Sequence, residues 1–126
     1  MAVTYSLSTK NARMTAVRDQ IDAGAGPGKI EIGTAGMTTV LAVFTLDEPC
    51  GTIANGAITF SGFPKSDSSA DATGVAAAAR IRDSNNNDVV TGLTVGTSNA
   101  DVLLDNTSIN ITQQVTLQSA VITHAT

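Results

Sequence analysis

Cys50 and His124 are the one cysteine and the one histidine of this 126-residue chain. They are therefore the one pair that could supply a thiolate nucleophile and its imidazole base. Their settings speak against it. His124 stands at the C-terminal end, Cys50 sits in a Pro49-Cys50-Gly51 turn, and no third group is spaced to orient the ring. A lone cysteine also forms no intramolecular disulfide and no cysteine-rich metal cluster. The tract Asp83-Ser84-Asn85-Asn86-Asn87-Asp88 sets oxygen-bearing side chains at alternate positions, as a calcium loop does. Its sixth position, where such a loop needs Gly, is Asp88, and its twelfth, where a bidentate Glu belongs, is Thr94. A hairpin turn explains the same residues, because Asn and Asp tolerate left-handed backbone and bond their own main chain. Gly24-Ala25-Gly26-Pro27-Gly28 follows a helical pattern and has no Lys-Ser/Thr in register, so it is a helix stop and not a phosphate cradle. No catalytic residue, metal ligand or cofactor site is assigned.

Composition narrows the classes further. Charged residues make up 14% of the chain, well below the ~25% of ordinary globular proteins. The surface must then be covered by Thr, Ser, Asn, Gln, Gly and Ala, which suits faces that meet other proteins. Aromatics at 3% leave the core to Val, Ile, Leu and Ala, and deprive a sugar site of its stacking rings. A net charge of -4 argues against nucleic acid, whose backbone is neutralised by Lys and Arg. No apolar run approaches the ~20 residues that span a bilayer, and M-A-V-T-Y-S-L-S-T-K lacks the apolar segment of a secretory signal. The two glycosylation-type triplets, Asn106-Thr107-Ser108 and Asn110-Ile111-Thr112, carry no weight in that setting. Synthesis in a reducing cytoplasm, with no membrane or nucleic-acid partner, is the expectation.

The elements that would position any site are mostly strands. Residues 8–23 are expected to form the one helix, capped by Ser8 or Thr9, with Leu7, Met14, Val17 and Ile21 on a shared face. It either packs on a sheet or serves as an arm that docks on a neighbouring subunit. Residues 29–126 are expected to form the β-domain, the whole chain 1–126 being one domain. Lys29-Ile30-Glu31-Ile32 alternates as a half-buried strand, and Met37 to Leu46 reads as a buried one. Asn55-Gly56 between β-branched runs is a strong hairpin signal. Lys65 to Gly74, rich in Ser and Asp, reads as a surface loop. Val75, Ala77, Ala79 and Ile81 alternate in the first strand of a hairpin that returns through Val89 to Val95. Ile109 and Ile111 share one face of a short strand. Val115, Leu117 and Val121 share one face of the last strand, with Ile122 opposite. About eight or nine short strands and one N-terminal helix predict a mainly β fold, an antiparallel β-sandwich or small barrel, with a jelly roll among the open topologies.

Several segments carry a likeness: Y-S-L-S-T-K-N-A-R-M-T-A-V-R-D-Q-I-D-A-G-A-G at Tyr5 to Gly26, G-K-I-E-I-G-T-A-G at Gly28 to Gly36, F-S-G-F-P at Phe60 to Pro64, A-A-A-A-R-I-R-D at Ala76 to Asp83 and V-V-T-G-L-T-V at Val89 to Val95. Together they resemble a group of small virion structural proteins of tailed bacteriophages, encoded beside the major capsid gene. The resemblance implies a capsid decoration, or cement, protein that stabilises the head shell. Its partners would be the major capsid protein and further copies of itself, its location the virion, and it would be no enzyme. It brings no active site to transfer. A neck or tail component, such as a connector or fibre-base protein, is the alternative within virions, and a carbohydrate-binding β-sandwich the alternative outside them. The candidate contact residues are Lys10, Arg13, Met14 and Arg18 on the helix, and Ser66, Asp67, Ser68 and Ser69 in the polar tract.

Overall fold

The computed structural model describes residues 4–123. Helix α1 (Leu7–Ile21) is followed by β1 (Lys29–Gly33), a 3-10 turn (Ala35–Met37), β2 (Val40–Thr45), β3 (Gly51–Ala54) and β4 (Ala57–Phe60). Then come β5 (Lys65–Asp67), β6 (Gly74–Val75), β7 (Ala78–Arg82), β8 (Asp88–Gly96), β9 (Val102–Leu104), β10 (Ser108–Ile109) and β11 (Val115–Thr123). The fold is mainly β, as expected: a curled, antiparallel-rich sheet in the manner of a sandwich or half-barrel, with one helix near the N-terminus. Strand order is β2-β1-β7-β8-β9-β11-β4-β3, with β5 also on β11 and a separate β6–β10 pair.

Alternation builds the core. Ile30 and Ile32 of β1 pair with Phe44 and Ala42 of β2 on one side and with Ile81 and Ala79 of β7 on the other, and all are buried. Val102, Leu104, Val115, Leu117 and Ile58 extend the same interior. The Asn55-Gly56 hairpin forms as predicted, with φ of 53° and 73° at its two central residues, which is what a type I′ turn needs.

Helix α1 begins one step before the expected start. Ser6, in extended backbone, caps it by accepting the Thr9 N–H at 3.2 Å. Leu7 is thus the first helical residue and lies 53% exposed, off the face shared by Met14, Val17 and Ile21. That face packs on the chain's own β3–β4 hairpin, and two side chains of the helix segment fasten it. Asn11 Oδ1 accepts the Gly56 N–H at 2.7 Å at the hairpin tip, and Asp22 accepts the Cys50 N–H at 3.2 Å at its base. The helix is therefore part of the fold, and the alternative of an arm reaching to a neighbour is set aside.

Other departures follow from register. Met37 ends a 3-10 turn, so the buried strand starts only at Val40. The alternation from Val75 to Ile81 breaks: Val75 pairs in the small sheet and is 62% exposed, while Ala76 is buried. The Ala76 N–H donates to Thr107 and the Ala77 N–H to Gly33, so the chain crosses between sheets there and the phase shifts. Ile111 is exposed although Ile109 is buried, because Thr112 turns the chain with φ 69°. In β11 a register irregularity between Leu117 and Ser119 moves the inward side from Leu117 to Ala120, leaving Val121 37% exposed. The tract from Lys65 to Gly74 is not simply a loop. Lys65–Asp67 is strand β5, Gly74–Val75 is β6, and Ala70 between them is buried.

Candidate functional site

Cys50 is fully buried at the start of β3. Burial, with the nearby Asp22 carboxylate adding to it, pushes its thiol up to about 12. A thiol held protonated in the core is a packing group and not a nucleophile. His124 lies outside the described residues. Asp83 turns its carboxylate inward on its own loop, accepting the Asn85 N–H and the Asn87 N–H at 2.9 Å and the Asn87 Nδ2 at 3.1 Å. The Asn87 main chain foremost holds its carboxyl below the usual aspartate range. Those lone pairs are committed to the turn, and among the described residues no three His, Cys, Asp or Glu side chains gather as metal ligands.

The candidate contact residues fall in two separate places. On α1, Arg13 is exposed, with its guanidinium 4.8 Å from the centroid of the Tyr5 ring. Lys10 is half-buried, and Arg18 stands 4.0 Å from Asp19. Met14, expected as a contact residue, is instead buried at 3% exposure inside this chain's own core, and its thioether is not available to a partner. Ser66, Asp67, Ser68 and Ser69 lie at and just beyond β5, on the seam where the curled sheet comes round to β2.

That seam is the feature the sequence does not show. The Leu46 N–H donates to Gly28, so the even residues of β2 bond toward β1 and the odd ones, Leu41, Val43 and Thr45, turn their main chain outward. Across the seam, the Asp105 N–H donates to the Thr116 carbonyl, which turns Thr116 toward β9 and leaves Val115 and Leu117 to bond β5. Their partners Asp67 and Lys65 therefore face β11, and Ser66 is the β5 residue whose N–H and C=O face the seam.

The two banks do not zip together, for three local reasons. Pro64 has no N–H to carry β5 further back. The Asp67 Oδ1 accepts the Ser69 N–H at 3.1 Å, a local turn that ends β5 after three residues. Asp67 also directs its own main chain to β11, so only its side chain can reach β2. Its Oδ2 accepts the Val43 N–H at 3.1 Å, standing where the carbonyl of a paired strand would stand. Further along, the Asp71 N–H donates to the Leu41 carbonyl at 2.8 Å. At the other end Lys65 Nζ meets Asp47 Oδ1 at 2.8 Å. Between these fastenings lies an open cleft of about 390 Å³, lined by Val43, Phe44, Thr45 and Lys65 to Ser68.

A second surface is built by cross-strand register. On the outer side of β3, β4 and β11, Thr52, Thr59 and Val121 stand in one row, and Ala54, Ala57 and Thr123 in the next. None carries a charge, and all but the half-buried Ala57 are exposed. By contrast, the outer side of β1 and β7 carries an ion network. Arg80 Nε donates to Glu31 Oε1 at 2.6 Å, Arg82 Nε lies 3.7 Å from the same oxygen, and Arg82 Nε donates to Asp88 Oδ1 at 2.7 Å. Comparison of the chain with protein-family models, with curated proteins and with solved structures finds no match.

Proposed function

We propose that this chain is a structural protein of a bacteriophage virion, a capsid decoration protein that binds the head shell and stabilises it through protein–protein contacts. The observation that carries the reading is the charge-free outer face of β3, β4 and β11. Its rows of Thr, Ala and Val can be covered by a partner without stripping water from an ion, the largest single cost of burying a surface. Interface centres are depleted of charge for the same reason. The likeness of the segments at Tyr5 to Gly36 and Ala76 to Val95 to virion proteins supports the choice of assembly. The rigid docking of α1 supports a brace that presents one fixed shape.

Co-sedimentation with capsid shells that lack the protein tests this. Saturation at roughly hundreds of copies per particle is the expected result for a shell symmetry. Thr59→Lys, in the middle of the face, should then weaken binding at least tenfold with the fold intact. Binding at about a dozen copies would instead make the protein a neck component, and no binding to shells would overturn the proposal.

A further inference from the structure

We infer that the cleft between β2 and β5 is a binding site for an extended peptide segment, free of acidic residues, of another protein chain, which enters as a strand and pairs with both banks. The chemistry of the banks defines the guest. Thr45 offers an outward N–H and C=O, Val43 an outward C=O, and Ser66 an N–H and C=O from the opposite side. A row of main-chain donors and acceptors is matched by one kind of partner, an extended backbone. Two groups of the chain already imitate such a guest. The Asp67 carboxylate occupies the place of its carbonyl at Val43, and the Asp71 N–H occupies the place of its amide at Leu41. The cleft begins where these imitations stop.

Size and charge agree. The rise, spacing and thickness of a sheet give an extended residue roughly 150 Å³, so the cleft of about 390 Å³ takes two to three residues. Full pairing on both sides needs the banks about 9.6 Å apart, two strand spacings, and entry therefore displaces the Asp67 carboxylate from Val43. Lys65 is already paired with Asp47, and Asp67 with two main-chain amides. An acidic side chain would therefore lose hydration there without gaining a counter-ion, since the Lys65 cation is already paired. Phe44 at the floor is buried and apolar, while Thr45 and Ser66 are exposed. The guest residue turned inward is accordingly apolar and its neighbours small or hydroxyl-bearing, the alternation of an ordinary strand.

This inference rests on the assembly role for the source of the strand, which would be a shell subunit. Its test does not use the shell, so the two can fail separately. The intact protein is used to select from a displayed library of random heptapeptides, and enriched sequences are made as capped peptides and titrated into labelled protein by NMR. Enrichment of β-branched alternating sequences without Asp or Glu is expected, with the largest shifts at the Thr45 and Ser66 amides. Thr45→Pro and Ser66→Pro each remove one cleft-facing N–H and no ladder bond, and each should weaken the peptide at least tenfold. Should either variant fail to fold, the same peptide N-methylated at alternate residues keeps the protein intact and should lose binding in both of its phases, since each phase removes the donors that face one bank. Failure to enrich any peptide, shifts that map elsewhere, or undiminished binding by the proline variants or of either N-methylated peptide would overturn the site.

Discussion

Ile21→Ala tests whether α1 is fastened to the sheet by packing. Ile21 is fully buried. The substitution removes three carbons, about 2.4 kcal/mol at ~0.8 kcal/mol per buried methylene. A cavity term adds to this, because the side chain lies against Gly28, which has no side chain with which to fill the hole. The sum is a loss of ~3–4 kcal/mol. Against a total stability of ~5–15 kcal/mol, the variant remains folded and measurable. Urea unfolding followed by circular dichroism should show the midpoint falling with the slope unchanged, since the surface exposed on unfolding is the same. A loss under ~1 kcal/mol would refute the reasoning, for it would mean that the helix contributes little to the core and is free to act as an arm after all.

Two further outcomes follow from buried groups. Cys50 should resist alkylation in the native protein and react only on unfolding. Its unfolded thiol ionises near 9.0 while the native one holds its proton to about 12, so the native state binds more protons in that window and stability falls as pH rises through it. A Cys50→Ala variant, compared with the parent by unfolding from pH 8 to pH 11, should lack that component of the slope. Glu31→Gln strips the charge between Arg80 and Arg82 and should cost ~1–3 kcal/mol in thermal unfolding. The apolar pair Glu31→Leu with Arg80→Met should recover most of it, and a double variant as weak as Glu31→Gln would show that packing, not charge pairing, governs that face.

What was legible in the sequence was local. Asn55-Gly56 announces its turn because the required backbone angles are a property of those two residues. Met14, Val17 and Ile21 announce a helical face because they recur within a few turns. The likeness of Lys65 to Gly74 to a loop was equally local, and it misled at Lys65 to Asp67. A three-residue strand carries no periodicity, and β5 is a strand only because Val115 to Leu117, some fifty residues on, offers it an edge. The phase changes at Ala76 and Leu117 escaped for the same reason: each is forced by a partner strand far away in sequence. Met14 illustrates the converse. Its place on an apolar helical stripe was visible, and the bland consequence of that stripe, burial in the chain's own core, was the correct one.

Strand β11 has a consequence for the order in which the molecule can be made. It is paired with β9, β5 and β4, and through β4 it holds the hairpin on which α1 rests. A nascent chain leaving the ribosome can close the β1–β2 and β3–β4 hairpins early, since their partners emerge together. It cannot form the seam until residues 115–123 have cleared the exit tunnel, because β5 pairs with β11. Every earlier intermediate presents open strand edges, and such edges are where chains join their neighbours wrongly. The sparse charge of the chain leaves such a precursor with little electrostatic protection against that joining.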